Sequence, residues 1–123
     1  MLRVLVVDDD ADVRATLADG LGAQGYAVDL ATDGADALAR LADGPSPDAI
    51  VLDLGMPRMN GWQFRDLQKR VPALAAIPVV VLTGEPSPLG IDARDVVAKP
   101  APIAELADAI RRVAGRRVAR RVS

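Results

Sequence analysis

The chain contains no cysteine and no histidine, and it has only one tryptophan, one tyrosine and one phenylalanine. The lack of cysteine excludes disulfides and thiolate metal sites, and the lack of histidine removes the commonest zinc ligand and general base. Any chemistry must therefore use Asp, Glu, Lys, Ser, Thr or the backbone. Half of the residues are nevertheless apolar, so the core must consist of aliphatic side chains, which suits parallel strands covered on both faces.

Long apolar runs are also missing. No stretch approaches the roughly 20 apolar residues of a membrane span, and the N-terminal apolar run is too short for a secretory signal. The sequence therefore predicts a cytoplasmic protein that does not bind membranes. With 123 residues the chain fits one domain, which we assign to residues 1–115, followed by a basic tail over residues 116–123.

Charge is distributed unevenly along the chain. All 17 acidic residues lie within residues 1–110, whereas six arginines lie between residues 111 and 121. We interpret these arginines as a solvated helix end that complements the helix dipole. A nucleic-acid or membrane-surface role is the alternative, but nucleic acid is not an expected partner because aromatic residues that stack on single-stranded bases are scarce.

Short β-branched runs alternate with Ala/Leu-rich amphipathic segments along the chain. This alternation is the pattern of βα units, and it predicts an α/β fold with helices on both faces of a parallel sheet. The predicted strands are residues 2–7, 27–30, 48–52, 77–82 and 96–98.

Local signals mark where the helices begin and end. Asp33 and Asn60 precede the second and third helices as caps, and Asn60 with Gln63 forms a capping-box pattern. Gly25 can take the left-handed conformation that ends the first helix. Gly115 is the predicted end of the last helix. The apolar stripe of that helix consists of Ile103, Leu106, Ile110 and Val113.

Chemically reactive side chains follow four of the predicted strands. Asp8 and Asp9 follow the first strand, Asp53 the third, Thr83 the fourth and Lys99 the fifth. Parallel strands end at the same edge of a sheet, where open α/β sheets bind ligands, so these side chains should meet there. Neighbouring carboxylates repel each other, and a hard cation such as Mg²⁺ relieves that repulsion. The pattern predicts a phosphate and metal site.

Five short motifs occur in order on this βα pattern. They are Val6-Val7-Asp8-Asp9-Asp10, Val51-Leu52-Asp53-Leu54-Gly55-Met56-Pro57, Asn60-Gly61, Val81-Leu82-Thr83-Gly84 and Ala98-Lys99-Pro100. Together they resemble the receiver domain of bacterial two-component response regulators, over roughly residues 2–114. The resemblance implies a flavodoxin-like, doubly wound sheet of five parallel strands in the order 2-1-3-4-5.

The resemblance also implies a phosphorylation site. Asp53 corresponds to the phosphoacceptor, which receives a phosphoryl group from a sensor histidine kinase, a phosphotransfer protein or a small phosphodonor. Thr83 corresponds to the hydroxyl that moves onto the phosphoryl oxygens, and Lys99 to the ammonium that pairs with them. The signal would then pass to an unknown downstream protein by contact.

A Mg²⁺ site is implied beside the phosphoacceptor. Asp9 corresponds to a direct metal ligand and Asp8 to its water-mediated neighbour. Asp53 would also bind the metal, and Gly55 would contribute its backbone carbonyl.

Two features depart from the family pattern. Val96 stands three residues before Lys99, where receivers commonly have a Tyr or Phe that swings inward with the threonine. Residues 85–90 contain two prolines and a glycine, so the helix between the fourth and fifth strands should be shortened or missing, with one turn over 91–94 at most. This helix, the fifth strand and the last helix form the common dimer and output face, so a homodimer or output contact there would use an altered surface.

Three functional hypotheses follow. The favoured one is a phosphorylatable, stand-alone receiver that acts through protein contacts and is not an enzyme. The first alternative is a receiver-like interaction scaffold that signals without phosphorylation, which Val96 and the proline-rich segment favour. The second is a phosphatase with an aspartate nucleophile, but such enzymes usually place a second acid two residues after the nucleophile, where Gly55 lies.

Overall fold

Strands and helices alternate along the part of the chain that the structure describes. The computed structural model describes residues 2–56, 59–84, 93, 95–99 and 101–122, with side chains up to residue 115. The strands are β1 (Arg3–Val7), β2 (Ala27–Ala31), β3 (Ala49–Leu52), β4 (Val79–Thr83) and β5 (Asp95–Ala98). The helices are α1 (Ala11–Ala23), α2 (Gly34–Asp43), α3 (Gly61–Arg70), α4 (Pro72–Ala75) and α5 (Ile103–Val122).

The strands form one parallel sheet in the order β2-β1-β3-β4-β5, which confirms the predicted topology. In the central pair Val7 lies opposite Leu52, and in the last pair Thr83 lies opposite Ala98. The carboxyl ends of these strands are therefore level with one another at one edge of the sheet.

Strand β1 shows how the sheet is covered on both faces. Val4 and Val6 belong to one buried cluster, and Leu5 and Val7 belong to the other. The first cluster contains side chains of α1 and α5, and the second contains side chains of α2 and α3. Because alternate residues of a strand point to opposite faces, a continuous aliphatic run supplies both cores.

The predicted caps are confirmed. Asp33 accepts a hydrogen bond from the backbone N–H of Asp36, and Asn60 with Gln63 forms a reciprocal capping box at the start of α3. Gly25 has a φ of 94° after α1, a conformation in which a side chain would be strained. These signals are local, so they could be inferred without knowing the tertiary contacts.

The prediction that the last helix ends at Gly115 is wrong, because α5 continues to Val122. A glycine inside a helix costs only about 1 kcal/mol relative to alanine. No proline follows, and the flanking arginine and alanine residues are good helix formers, so the helix passes through the glycine. The segment assigned as a basic tail is thus helical up to Val122.

The start of β4 was also predicted two residues too early, and the short helix α4 was not predicted. Pro72 ends α3 but occupies the first turn of α4, a position that tolerates proline. The side-chain amide of Gln68 donates to the carbonyls of Leu74 and Ile77, at 2.8 and 3.1 Å. Ile77 therefore belongs to this turn rather than to the strand. The predicted shortening of the helix between β4 and β5 concerns residues 85–94, nearly all of which lie outside the described residues.

Candidate functional site

The ends of four strands deliver polar side chains to one edge of the sheet. Backbone hydrogen bonds fix their positions: the N–H of Asp53 donates to the carbonyl of Val7 at 3.0 Å, and the N–H of Lys99 donates to that of Thr83 at 2.8 Å. The N–H of Asp8 donates to the carbonyl of Ala31 at 3.2 Å. Asp8, Asp53 and Lys99 are thus each the first residue after a strand, and Thr83 is the last residue of one, which is why sequence position predicted the cluster.

Three carboxylates lie together at this edge. Asp8, Asp9 and Asp53 each place one carboxylate oxygen within 4.8 Å of the other two. Asp8 and Asp53 are only 2% and 9% exposed, whereas Asp9 is exposed. The cluster therefore has a buried floor and one acid open to solvent.

Lys99 is the cation within this cluster. Its Nζ lies 3.0 Å from Asp8 Oδ2 and 3.5 Å from Asp53 Oδ1. Burial alone would lower the pKa of the Lys99 ammonium, but the hydrogen bond and charge of Asp8, together with Asp53, outweigh it, so this pKa is raised. Lys99 therefore remains charged and partly neutralises the acids.

The surroundings of Asp53 disfavour the charged form of its side chain, whereas those of Lys99 favour the charged form. Burial and then the charge of Asp8 raise the pKa of its carboxyl group, against the lowering effects of Lys99 and of the Gly55 N–H. The cluster thus holds three carboxylates and one ammonium in contact with two of them. A group that brings additional positive charge would stabilise the ionised form of this site.

The carboxylate cluster fits Mg²⁺. Its donors are all hard oxygens, and burial together with the Asp8 charge raises the pKa of Asp53, so a bound cation would favour the ionised acids. Asp9 is the most accessible of the three. Both carboxylate oxygens of Asp8 already accept a hydrogen bond. Oδ1 accepts one from the N–H of Asp10 at 2.9 Å, and Oδ2 accepts one from the Lys99 ammonium.

Thr83 and Gly55 lie at the same edge of the sheet as the acids. Thr83 is the last residue of β4 and is 2% exposed. Gly55 is exposed, and its N–H lies 3.5 Å from Asp53 Oδ1. The predicted residues thus share one edge of the sheet, while the hydroxyl and carbonyl roles of these two residues stay predictions.

One further residue was missed from the sequence. Arg14 of α1 donates from Nη1 to the backbone carbonyl of Asp8 at 2.8 Å. Its place six residues after Asp8, in the first turn of a helix that follows the acids, was visible in the sequence. Its direction toward the loop depends on the angle between β1 and α1, which only the tertiary structure shows.

An apolar cleft opens beside Lys99, between α1 and α5. Its volume is about 500 Å³. Its apolar lining comes from Val13, Leu17, Leu82, Ala101 and Leu106, and Asp12 and Thr16 lie on its α1 side. The cleft therefore adjoins the carboxylate cluster through Lys99.

The sequence matches the family described as the response regulator receiver domain over residues 4–111. Protein-glutamate methylesterase/protein-glutamine glutaminase 1 of Anaeromyxobacter dehalogenans is 42% identical over 106 residues, which cover 80% of this chain and 29% of that protein. The response regulator MprA of Mycobacterium sp. (strain KMS) is 40% identical over 112 residues, which cover 85% of this chain and 47% of that protein. The chain thus spans less than half the length of these relatives.

Solved structures show the same fold. The signal receiver domain of a signal transduction histidine kinase from Syntrophus aciditrophicus superposes with a TM-score of 0.86 at 29% identity, covering 94% of this chain and 91% of that one. The response regulator TrrA of Thermotoga maritima, solved in complex with Mg²⁺ and BeF, gives a TM-score of 0.82 at 26% identity, with 92% and 99% covered. Among the described residues, none of the helices has the length and apolar character needed to cross a membrane.

Proposed function

Since the chain belongs to the response regulator receiver domain family of two-component signalling, we propose that it accepts a phosphoryl group on Asp53 in a Mg²⁺-dependent reaction. The observation that carries this proposal is the cluster of Asp8, Asp9 and Asp53, with Lys99 in contact with Asp8 and Asp53. A purely structural acid would not need two acidic neighbours, one of them buried, because like charges destabilise one another.

The proposed step is a displacement at phosphorus. A carboxylate oxygen of Asp53 attacks the phosphorus of a phosphohistidine on a partner protein, a P–O bond forms and the P–N bond breaks. The electron pair of the broken bond stays on the imidazole nitrogen. Such a transfer depends mainly on positioning and on neutralising charge.

Asp8, Asp9 and Asp53, with the Gly55 carbonyl, are the residues that would hold Mg²⁺. When bound, the ion would neutralise charge on the acids and on the oxygens of the transferred group. Lys99 starts from its contacts with Asp8 and Asp53 and would pair with the phosphoryl oxygens. A phosphoryl group adds a charge of about −1.5 to −2, which gives both Lys99 and the Thr83 hydroxyl a new partner.

A histidine kinase or phosphotransfer protein is the proposed donor. The apolar cleft between α1 and α5 supports a protein donor, because it offers hydrophobic contact area directly beside Lys99. A downstream protein would then recognise the phosphorylated state.

A receiver-like scaffold that signals without phosphorylation is the second candidate. Val96 favours it, because this side chain is 44% exposed on β5 and cannot exchange an aromatic ring between a pocket and solvent. The two candidates differ in one measurable property, which is whether Asp53 becomes phosphorylated.

The test is incubation with acetyl phosphate and Mg²⁺ followed by mass spectrometry of the intact protein. We expect wild type to gain one phosphoryl group, Asp53→Asn to gain none, and EDTA to suppress the reaction. Asp19→Asn is the matched control, since Asp19 is an exposed aspartate of α1 outside the acid cluster. An unmodified wild-type protein would refute the proposal and favour the scaffold.

A further inference from the structure

Arg14 reaches from α1 back to the loop that carries two of the clustered acids. Its guanidinium donates from Nη1 to the backbone carbonyl of Asp8 at 2.8 Å, in a partly buried contact. Hydrogen bonds from a charged donor are stronger than neutral ones, and partial burial protects this one from competing water. The contact is made to the backbone, so it acts on the course of the loop rather than on the Asp8 carboxylate.

This contact closes a ring of hydrogen bonds around the loop. The N–H of Asp10 donates to Asp8 Oδ1 at 2.9 Å, and the N–H of Arg14 donates to the carbonyl of Asp10 at 3.0 Å. With the guanidinium on the Asp8 carbonyl, three bonds link residues 8, 10 and 14. Asp9 lies between the two loop residues that the ring holds, and its own carboxylate is exposed.

We propose that Arg14 is a positioning residue for the acid cluster. By holding the Asp8 carbonyl, its guanidinium orients the peptide between Asp8 and Asp9, and so keeps the exposed Asp9 carboxylate within reach of those of Asp8 and Asp53. This inference rests on the proposed Mg²⁺ site and adds a residue outside the set that would hold the ion.

The sign of the effect on Mg²⁺ affinity separates positioning from simple charge. A guanidinium near a divalent cation repels it, so loss of the charge alone would tighten Mg²⁺ binding. Loss of positioning would weaken it, and substitution of groups that orient metal ligands typically costs 10- to 100-fold in affinity. Because Arg14 holds the backbone and the lost repulsion acts in the other direction, we expect a loss of about tenfold.

The experiment compares wild type, Arg14→Met, Arg14→Lys and Arg111→Met by calorimetric titration with MgCl₂. Arg14→Met removes both the donor and the charge at similar side-chain length, and Arg14→Lys keeps the charge. Arg111→Met is the matched control, because Arg111 is exposed on α5 and pairs with Asp108. We expect about tenfold weaker binding for Arg14→Met, an intermediate value for Arg14→Lys and wild-type binding for the control.

A second readout does not involve the metal. In metal-free protein, the Asp10 amide should exchange with solvent faster in Arg14→Met than in wild type, because the ring around it is open. Unchanged or tighter Mg²⁺ binding by folded Arg14→Met would overturn the inference. The proposed metal site would still stand in that case, provided that the wild-type protein binds Mg²⁺. If wild type itself binds no Mg²⁺, both fail. Should Arg14→Met not fold, the decision passes to Arg14→Lys, and wild-type affinity in that variant would overturn the inference.

Discussion

Asp53 experiences two opposing charges within a few ångströms. The Asp8 carboxylate raises its pKa and the Lys99 ammonium, 3.5 Å away, lowers it. Burial is the largest effect and acts in the same direction as Asp8, so the folded protein binds this proton more tightly than the unfolded chain does. Ionisation of Asp53 therefore reduces the stability of the metal-free fold.

This linkage predicts that Asp53→Asn stabilises the metal-free protein at neutral pH. The loss of unfolding free energy caused by ionisation of Asp53 grows as the pH rises from 3.8, the ordinary Asp pKa, toward the raised pKa of the folded state. We expect a gain of about 1 kcal/mol, or roughly 4 °C in Tm, measured by thermal unfolding in EDTA.

The pH dependence provides the control for this prediction. Below the ordinary Asp pKa, Asp53 is protonated in both the folded and the unfolded state, so the advantage of the variant should vanish there. Asp19→Asn, at an exposed position of α1 outside the acid cluster, is the matched control variant. A variant that melts below wild type at neutral pH would contradict the prediction.

At the scale of elements, the connection from β3 to α3 is fixed by a close backbone approach. A Cβ atom on Gly61 would lie 2.8 Å from the Asp53 carbonyl oxygen and 2.8 Å from Leu54 Cα. The Gly61 N–H donates to the Leu54 carbonyl at 3.0 Å, and Asn60 caps the helix that begins there. The start of α3 thus lies directly against the backbone of Asp53 and Leu54.

Gly61→Ala should therefore destabilise the protein by about 2 kcal/mol, because overpacking against backbone atoms cannot be relieved by side-chain rotation. Gly22→Ala is the matched control: the site is in α1, nothing lies within 4 Å of the added Cβ, and alanine is the better helix former. That control should be stabilised by about 0.5 to 1 kcal/mol. Urea unfolding of both variants checks the pair, and equal effects would show that the close approach is not decisive.

The starts and ends of the helices were predicted correctly at some positions and wrongly at others. The capping box of α3 and the glycine after α1 were predicted, because a cap depends on residues within four positions of each other. The end of α5 was predicted wrongly, and α4 was missed. At Gly115 the good helix formers on both sides outweigh the glycine, a balance that the prediction set wrongly. The turn that Gln68 closes through Leu74 and Ile77 depends on side-chain contacts that local pattern does not encode.

For the whole molecule, a ligand that binds only the folded state couples the metal site to global stability. At a Mg²⁺ concentration 100 times the Kd, wild type should gain about 2.7 kcal/mol of unfolding free energy. Asp9→Asn should lose most of this gain, because Asp9 is the exposed member of the cluster. Melting curves with and without MgCl₂ measure the difference.

The control for the metal effect is the neighbouring acid. Asp10→Asn keeps an oxygen that can cap α1, where Asp10 accepts the N–H groups of Asp12 and Val13, and Asp10 is not one of the clustered acids. This variant should retain the Mg²⁺-dependent gain. Equal loss in both variants would point to general charge rather than to ligation by Asp9.

The sequence by itself determined the class of fold and the set of polar residues at one edge of its sheet. Aliphatic runs alternating with amphipathic segments required a parallel sheet, and the acids, threonine and lysine that follow the strands had to share one edge of it. The tertiary structure decided how those groups act on one another: Lys99 sits nearer to Asp8 than to Asp53, the pKa of Asp53 is raised, and Arg14 holds the acidic loop. The physical reason is that spacing along the chain encodes periodicity and caps, whereas distances between charges and their burial arise only when separate elements pack together.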